Sequence, residues 1–450
     1  MRCTSNSIFI VRNVFFPIVF LSVACAANAQ QKSDSIQQDD RFSIHGQTTV
    51  INQSKTSFSA PYTGKNSLIP DKESKTSITA TLFAGARLWK GASLFVNPEI
   101  AGGSGLSGAL GIAAATNGET FRIGDPAPQI YLARLFFRQV FALSNDMTYQ
   151  SSDINQIAQH LPAKYIAVTI GKIGIADYFD DNKFSHDART QFMSWALMGN
   201  GAWDYPANTR GYTPSLILEY ITPKNEWRFG MSLLPKEANG NDMNWNVGKS
   251  AAYTLEYTHH YHLMNQDGAF RVLTFYNTAF MGNYDQSIAL NPTAPDITAT
   301  RAYGHSKYGF GINAEQNFTK DFGGFARLSW NDGHNETWAF TEIDRSISAG
   351  VVMAGRKWKR NNDNVGLAYV VSGISNPHRT YLKDGGYGFI LGDGNLNYAL
   401  EHLMEFYYSA ELVKDKMSLS GAYQFVLNPG YNKDRQGPVN IFSVRLHMAI

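Results

Sequence analysis

Apolar and polar side chains alternate along many segments of this chain, each about ten residues long. In residues 417–427, for example, Met417 and Phe425 share an apolar face, while Gln424 lies on the opposite, polar face. Strict alternation over such a length predicts β-strands with two different faces. About sixteen segments of this kind lie between residues 42 and 450. A strand of about ten residues, tilted by about 45°, is long enough to cross a bilayer.

The connections between these segments are of two kinds. Short ones include residues 223–225 and 265–268. The long ones are residues 101–128, 174–210, 283–306 and 376–400. Outer-membrane barrels combine tight periplasmic turns with longer extracellular loops. The chain is therefore expected to be all-β, a transmembrane antiparallel β-barrel of about 16 strands, with long extracellular loops that constrict the pore.

A soluble β-sandwich also alternates, and it is the main structural alternative. Strands of such proteins average about five or six residues, whereas the segments here run nine to thirteen. Repeated Tyr, Trp and Phe near the segment ends also match the aromatic girdles of a membrane barrel. Both observations favour the barrel.

The last segment ends on an apolar residue. Phe442, Val444 and Ile450 share one face, and Ser443 and Arg445 share the other. The machinery that assembles outer-membrane barrels recognises a terminal strand of this type, so we expect it to be a partner. The usual last residue is Phe, and Ile450 departs from that rule without disturbing the alternation.

If the apolar faces contact lipid, the ionisable residues on the opposite faces point into the lumen, because a charge at the bilayer midplane costs about 2–4 kcal/mol. The inward set is Arg87, Arg134, Arg138, Glu219, Arg228, Glu256, Glu315, Arg327, Glu401, Glu405, Glu411 and Arg445. The two signs occur in similar numbers, which favours neither an anion pore nor a cation pore. Such a lumen offers donors and acceptors to a polar, uncharged solute such as a sugar, and Trp89, Tyr407 and Trp203 could stack on its C–H faces. The alternative is that the inward charges only pair with each other and stiffen the wall.

The start of the chain has the features of an export signal. Arg2 and Arg12 precede and flank an apolar stretch, and Ala27-Asn28-Ala29 fits a small-x-small cleavage site. We therefore expect a signal peptide over residues 1–29, a polar periplasmic tail over 30–40 and the porin-like barrel over 41–450. A lipoprotein-type cleavage before Cys25 is the weaker alternative.

Removal of this signal changes the composition in two ways. Both cysteines, Cys3 and Cys25, leave with it, which excludes disulfides and cysteine chemistry from the mature chain. Arg2 and Arg12 also leave, so 37 basic side chains face 37 acidic ones. A neutral chain has no electrostatic footprint for nucleic acid, and no nucleic-acid partner is expected.

Candidate chemistry is weak elsewhere. His260 and His262 share a strand face while His259 points away, which is too few ligands for a zinc site. The acidic stretch 177–182 lacks the spacing of an EF-hand, and a structured loop over the pore is the better interpretation. No Gly-x-Ser-x-Gly motif occurs. We expect no metal, no cofactor and no enzyme, with a barrel-embedded phospholipase as the alternative.

Ordered blocks of residues along nearly the whole mature chain resemble the carbohydrate-selective porins of the OprB type. The most specific block is Gly171-Lys172 with Asp177-Tyr178-Phe179-Asp180-Asp181-Asn182, and it continues through residues 186–187 and 189–192 to Trp203-Asp204-Tyr205-Pro206. Other matching blocks are residues 45–49, 64–68, 87–89, 97–99, 131–134, 392–394, 405–408 and 428–432. Gln436 interrupts the family's Asp-Arg-Gly-Pro run, which puts that turn alone in doubt.

The resemblance implies a sixteen-stranded barrel, monomeric or homotrimeric, in the outer membrane of a Gram-negative bacterium. Its contacts would be outer-membrane lipid and lipopolysaccharide, and it would pass mono- and oligosaccharides by passive diffusion. Carried onto this sequence, the candidates for a sugar-binding constriction are Arg87, Glu99, Arg134, Asp180, Asp181, Asn182, Trp203, Glu401 and Glu405. A general-diffusion porin without sugar preference is the second interpretation, and a barrel that serves as an adhesin or plug is the third.

Overall fold

The fold is known from a computed structural model, which describes residues 38–120 and 127–450. The strands are β1 (Phe42–Lys55), β2 (Glu73–Trp89), β3 (Ala92–Gly103), β4 (Gln129–Ala142), β5 (Met147–Gln150), β6 (Gln159–Pro162), β7 (Tyr165–Ile173), β8 (Thr213–Ile221), β9 (Asn225–Ser232), β10 (Ala251–Leu263), β11 (Gln266–Met281), β12 (Ala302–Asn317), β13 (Phe322–Asn331), β14 (Arg345–Ala354), β15 (Asn364–Gly373), β16 (Glu401–Val413), β17 (Met417–Leu427) and β18 (Val439–Ala449). The helices are α1 (Trp195–Met198), α2 (Tyr284–Leu290) and α3 (Asn376–Lys383). Single 3-10 turns lie at Leu106–Gly108, Ile175–Asp177, Ile297–Thr300, Gly355–Trp358, Pro429–Tyr431 and Lys433–Arg435. The predicted signal peptide and most of the predicted tail lie outside the described residues and stay predictions.

Sixteen of these strands form a closed antiparallel barrel, and β5 and β6 form a separate two-stranded sheet. Each barrel strand pairs with its neighbours in chain order, with β4 next to β7. The barrel closes where β1 meets β18, with Gln47 opposite Ala449. Gly46 and Ile450 extend this closure by two backbone hydrogen bonds of 3.0 and 2.9 Å. The predicted sixteen-stranded barrel is confirmed.

The alternation seen in the sequence becomes a lipid-facing and a lumen-facing surface. On β18, Phe442 and Val444 are 54% and 55% exposed on the outside, while Ser443 and Arg445 are buried inside. Among the described residues, no helix is long and apolar enough to cross a membrane.

Trp89 departs from the predicted side of the wall. The pairing of β2 with β3 shifts register between Arg87 and Trp89, and such an irregularity re-aims the side chains beyond it. The Trp89 ring lies 5.7 Å from that of Phe137 and its Nε1 donates to Gln139. Because Phe137 and Gln139 alternate with the lumen-facing Arg138 on β4, Trp89 lies on the outer surface and cannot stack on a solute in the lumen.

Most connections at the end of the barrel that carries the chain termini are short. Met264 and Asn265 alone join β10 to β11, both with positive φ, 54° and 58°, as a tight hairpin turn requires. The predicted turn 265–268 is therefore shorter than expected, because β11 already starts at Gln266. Short turns identify this end as the periplasmic one. The connection between β4 and β7, residues 143–164, is a long exception on this side.

Several loops from the opposite, extracellular end fold into the barrel and form an apolar core there. Phe192, Met193 and Leu197 of the β7–β8 connection pack in one cluster with Leu403 and Tyr407 of the barrel wall. Gly366 on β15 permits this close approach, since a Cβ there would lie 2.9 Å from Cζ of Phe192. The long loops therefore fill part of the lumen rather than only covering its mouth.

Candidate functional site

Glu401 is a wall residue that holds a loop. It is buried, and its carboxylate accepts hydrogen bonds from the backbone N–H groups of Ala113 (3.0 Å), Ala114 (2.8 Å) and Gly430 (2.7 Å). Hydrogen bonds to an ionised acceptor are among the stronger ones. Glu401 thus fixes the β3–β4 loop and the β17–β18 loop against the inner wall.

Glu405 lies four residues further along β16, on the same inner face, and holds another loop. Its oxygens accept from the backbone N–H groups of Met193 (2.7 Å) and Ser194 (3.0 Å) and from the Gln424 side chain (2.9 Å). On β18, Arg445 donates to the carbonyl oxygens of Ala188 (2.6 Å) and Gln191 (2.7 Å) in that same loop. These residues hold the β7–β8 loop inside the barrel.

Asp180 and Asn182 belong to that loop and are hydrogen-bonded to β12 and β13 of the barrel wall. Asp180 Oδ1 accepts from Asn313 Nδ2 (2.6 Å) and from Arg327 Nε (3.2 Å). Asn182 Nδ2 donates to Asn313 Oδ1 at 2.7 Å. Asp181 is exposed, and its nearest cation is Arg271 at 3.7 Å. All three belong to a loop anchor and line neither of the two cavities described below.

The remaining predicted residues of this group also lie apart from an open passage. Trp203 is 2% exposed and meets Phe179 edge-on at 6.3 Å. Tyr407 is buried against Phe192, with their ring centroids 4.9 Å apart. Arg87 lies at the periplasmic end, where its Nη1 pairs with Asp39 Oδ2 at 2.8 Å. Neither aromatic ring presents a free face to the lumen.

The other side of the lumen, bounded by β2–β4 and β7–β9, contains two adjoining cavities. The extracellular cavity has a volume of about 320 Å³ and the periplasmic cavity about 430 Å³. Arg134, Asp177 and Ile154 line both. We call these three residues the neck, because a solute that moves from one cavity to the other must pass them.

Arg134 is the charged centre of the neck. It projects inward from β4, and its Nε and Nη2 donate to the two oxygens of Asp177 at 2.6 and 2.7 Å. Its guanidinium also lies over the ring of Tyr212, 4.9 Å from the centroid. A bidentate pair with a stacked ring fixes the guanidinium plane, so the neck has a defined width.

Acidic groups surround the extracellular cavity and are bonded to hydroxyl groups and to Arg189. Glu99 accepts from Thr81 Oγ1 (2.6 Å), from Tyr131 Oη and from Tyr212 Oη (3.0 Å). Arg189 Nη2 approaches Glu99 at 3.7 Å. Carboxylates and arginines therefore both line this cavity, and Glu99 lies close to a cation.

Glu119 completes this network from the β3–β4 loop. Its Oε2 accepts from Thr79 Oγ1 at 2.5 Å and from Arg189 Nε at 2.9 Å. Burial raises the pKa of the Glu119 carboxyl above its ordinary value, although the nearby Arg189 acts in the opposite direction. We therefore expect Glu119 to bind a proton at a higher pH than an ordinary glutamate does.

Three aromatic rings form a further part of the extracellular cavity. The ring centroid of Phe340 lies 4.2 Å from that of Trp195 and 4.7 Å from that of Tyr205. The Phe340 and Tyr205 rings are stacked. All three are half-buried, so part of each ring remains accessible. We call Trp195, Tyr205 and Phe340 the aromatic platform.

Of the predicted site residues, the structure brings Glu99 and Arg134 together at the open passage. The structure adds Asp177, Arg189 and the aromatic platform to this site. Strand alternation could not predict these residues, because all of them lie in loops. Three of them had a sequence signal, since Asp177, Arg189 and Tyr205 fall in the most specific block of family resemblance. Phe340 had none.

Comparison with known proteins agrees with this architecture. The profile of the carbohydrate-selective porin, OprB family, matches residues 65–449. The high-pH structure of Pseudomonas putida OprB superposes with a TM-score of 0.68 at 16% identity, covering 91% of this chain and 94% of that one. The outer membrane channel DcaP of Acinetobacter baumannii gives 0.50 at 8% identity, covering 91% and 97%. A search of curated proteins finds no significant match.

At these identities the solved structures support the fold alone, and the family assignment rests on the profile. That profile covers most of the chain, including the strands that carry Glu99 and Arg134. The chain is a channel of the Gram-negative outer membrane, selective for sugars, and it belongs to the carbohydrate-selective porin, OprB family.

Proposed function

We propose that sugars cross this porin through the two cavities on the β2–β9 side, and that the extracellular cavity with the neck provides the selectivity. The observation that carries the proposal is the arrangement of the aromatic platform in the same cavity as the Arg134–Asp177 pair and the Glu99–Arg189 cluster. Glu99 and Arg134, expected from the sequence to line the constriction, are part of this site. The other seven candidates support loops or lie elsewhere.

The mechanism follows from the chemistry of the lining. The aromatic platform offers apolar ring faces to the C–H faces of a sugar, while the charged groups offer hydrogen-bond donors and acceptors to its hydroxyls. Because carboxylates and arginines both line this cavity, a charged solute of either sign meets repulsive as well as attractive groups. Binding must be strong enough for entry and weak enough for exit. Transport is then passive diffusion through a selective neck, without catalysis.

The test is sugar block of single-channel current in planar bilayers, with glucose and maltose added to one side. The double variant Trp195→Ala, Phe340→Ala removes most of the aromatic platform. We expect the sugar concentration for half-block to rise about tenfold, since truncation of key aromatic contacts typically costs more than about 1 kcal/mol. The Trp227→Ala variant is the matched control, because Trp227 is an exposed tryptophan whose ring packs against that of Tyr257 on the outer wall.

Unchanged block in the double variant would contradict the site. A wild-type channel that conducts ions but shows no sugar block would instead favour general diffusion.

We extend the proposal to the biogenesis and partners of the protein. The signal over residues 1–29 is cleaved near Ala29, and the assembly machinery inserts the barrel after recognising β18. The mature barrel, a monomer or a homotrimer, contacts outer-membrane lipid and lipopolysaccharide. Amino-terminal sequencing of the purified protein and its mass in detergent before and after heating test these points.

A further inference from the structure

The connection between β4 and β7 breaks the rule of short periplasmic turns. It comprises residues 143–164, which include β5 and β6, and we call it the periplasmic hairpin. A simple turn would be enough to join β4 to β7, since these strands already pair directly from Leu135 to Ala142. The additional residues therefore have a role beyond the connection itself.

The periplasmic hairpin is anchored to the residues that precede β1. Asp39 accepts hydrogen bonds from the backbone N–H of His160 (2.8 Å) and from its Nδ1 (2.9 Å), and it also pairs with Arg87. The N–H of Asp40 donates to Ala158 O at 2.7 Å. This arrangement gives Arg87 a role at the periplasmic end, where it orients Asp39.

The hairpin enters the barrel instead of hanging below it. Ile157 is fully buried in one apolar cluster with Phe95 and Phe136, which project inward from β3 and β4. Ile154 reaches as far as the neck. The hairpin thus forms the floor of the periplasmic cavity, and a solute that leaves the neck enters a chamber enclosed by the hairpin.

The chamber is polar, and its charged side chains are paired. From the wall, Arg138 pairs with Glu219 and donates to Thr169 Oγ1 (3.3 Å), and Arg228 approaches Glu219 at 3.4 Å. The hairpin adds the side-chain amides of Gln150, Gln156 and Gln159. Arg228 also pairs with Glu226 at 2.6 Å, so each arginine of this wall has a carboxylate partner. Paired charges with several amides suit a neutral ligand with many hydroxyl groups.

Two lining residues have the freedom to contact such a ligand. Gln159 is half-buried, and its side chain makes no hydrogen bond to the residues that the structure describes. Tyr165, at the start of β7, is also half-buried and contributes a ring to the same wall. The Gln159 amide can form hydrogen bonds with sugar hydroxyls, and the Tyr165 ring can pack against the C–H face of a sugar.

We propose that the periplasmic cavity is a second saccharide-binding site, in series with the extracellular one, and that Gln159 and Tyr165 contact the sugar there. This inference rests on the proposed function, because a sugar reaches this site from outside only through the neck. With two weak sites in series, one sugar can leave the periplasmic site while another moves into it from the extracellular site. Such an arrangement favours conduction over trapping.

The experiment uses a probe that cannot pass the neck, namely glucose joined by a short spacer to a polymer too bulky to enter the barrel. Added to the periplasmic side of a bilayer that contains the full-length porin, it should interrupt the current, whereas the polymer without glucose should not. In Gln159→Ala the concentration for half-block should rise about fivefold, as expected for the loss of one hydrogen bond. Tyr165→Ala should weaken the block further.

The controls separate this site from the proposed function. Trp195→Ala, Phe340→Ala should leave the periplasmic block unchanged and weaken only the block by free glucose added outside. If Tyr165→Ala does not fold, Gln159→Glu tests the same wall by adding a charge, and it should also weaken the block. Absence of periplasmic block in the wild type, with extracellular block intact, would overturn the second site alone.

Discussion

On one side of the lumen, from β12 through β18 to β1, inward-pointing charges bind the backbone of loops. Glu401, Glu405 and Arg445 each hold loop N–H or C=O groups there, around an apolar core. On the other side, from β2 to β9, the same residue types pair with one another around open cavities, as Arg134 does with Asp177. We refer to these as the filled side and the open side.

The comparison shows that an inward charge on a barrel strand need not line the pore. A buried carboxylate requires hydrogen-bond donors, and loop backbone N–H groups that leave water require acceptors. On the filled side, the buried carboxylates of the wall accept hydrogen bonds from the loop N–H groups, so the wall holds the loops. On the open side the charged partners are side chains, which leave space between them.

The largest effect should come from releasing a loop on the filled side. In Glu405→Ala, Arg445→Ala the β7–β8 loop loses its anchors at Met193 and Ser194, at a cost of about 3 kcal/mol or more. Because this loop carries Trp195 and Arg189, we expect a several-fold higher open-channel conductance and loss of sugar block. Bilayer recording measures both.

Glu405→Gln is the control for that variant. It retains one acceptor oxygen and should keep most of the wild-type conductance. Wild-type conductance in the double variant would mean that the apolar contacts of the loop and the hydrogen bonds of Asp180 and Asn182 are enough to hold it.

Two buried arginines sharpen the comparison. Arg327, on the filled side, donates to Leu197 O (2.8 Å) and Ser185 O (2.7 Å). Arg134 instead donates hydrogen bonds to the Asp177 side chain and lies over the Tyr212 ring. We expect Arg327→Ala to lower the thermal unfolding temperature, and Arg134→Ala to shift ion selectivity towards cations by leaving Asp177 unpaired.

Thermal denaturation followed by circular dichroism and reversal potentials in a salt gradient measure these two effects. The distinction between the two sides would be contradicted if Arg327→Ala changed the ion selectivity and Arg134→Ala changed only the unfolding temperature.

The smallest effect concerns pH. Burial raises the pKa of Glu119, so as pH falls this carboxyl takes up a proton before an ordinary glutamate, and the extracellular cavity becomes more positive. We expect reversal potentials to move towards anion selectivity on acidification, and Glu119→Gln to show a smaller shift. An equal shift in both proteins would assign the effect to other groups.

Alternation in the sequence was enough to predict the barrel, its strand number and the inward direction of Arg134, Glu401 and Glu405. Glu99 was a candidate only through the family resemblance. It could not separate pore lining from loop anchoring, because that difference depends on where residues of distant loops fold. Trp195 and Phe340 were missed for the same reason. Trp89 was assigned to the lumen because a local shift of register leaves no mark in the alternation.

The central claim is that solutes use the open side and that loops fill the other. Since both cysteines lie in residues 1–29, single cysteines can be introduced by Ser93→Cys and Ala176→Cys on the open side, and by Ser329→Cys and Ser420→Cys on the filled side. The most direct measurement is their reaction with a charged methanethiosulfonate reagent during bilayer recording. We predict rapid modification and reduced current for the first pair and no reaction for the second, whereas equal reaction of all four would contradict the division of the lumen.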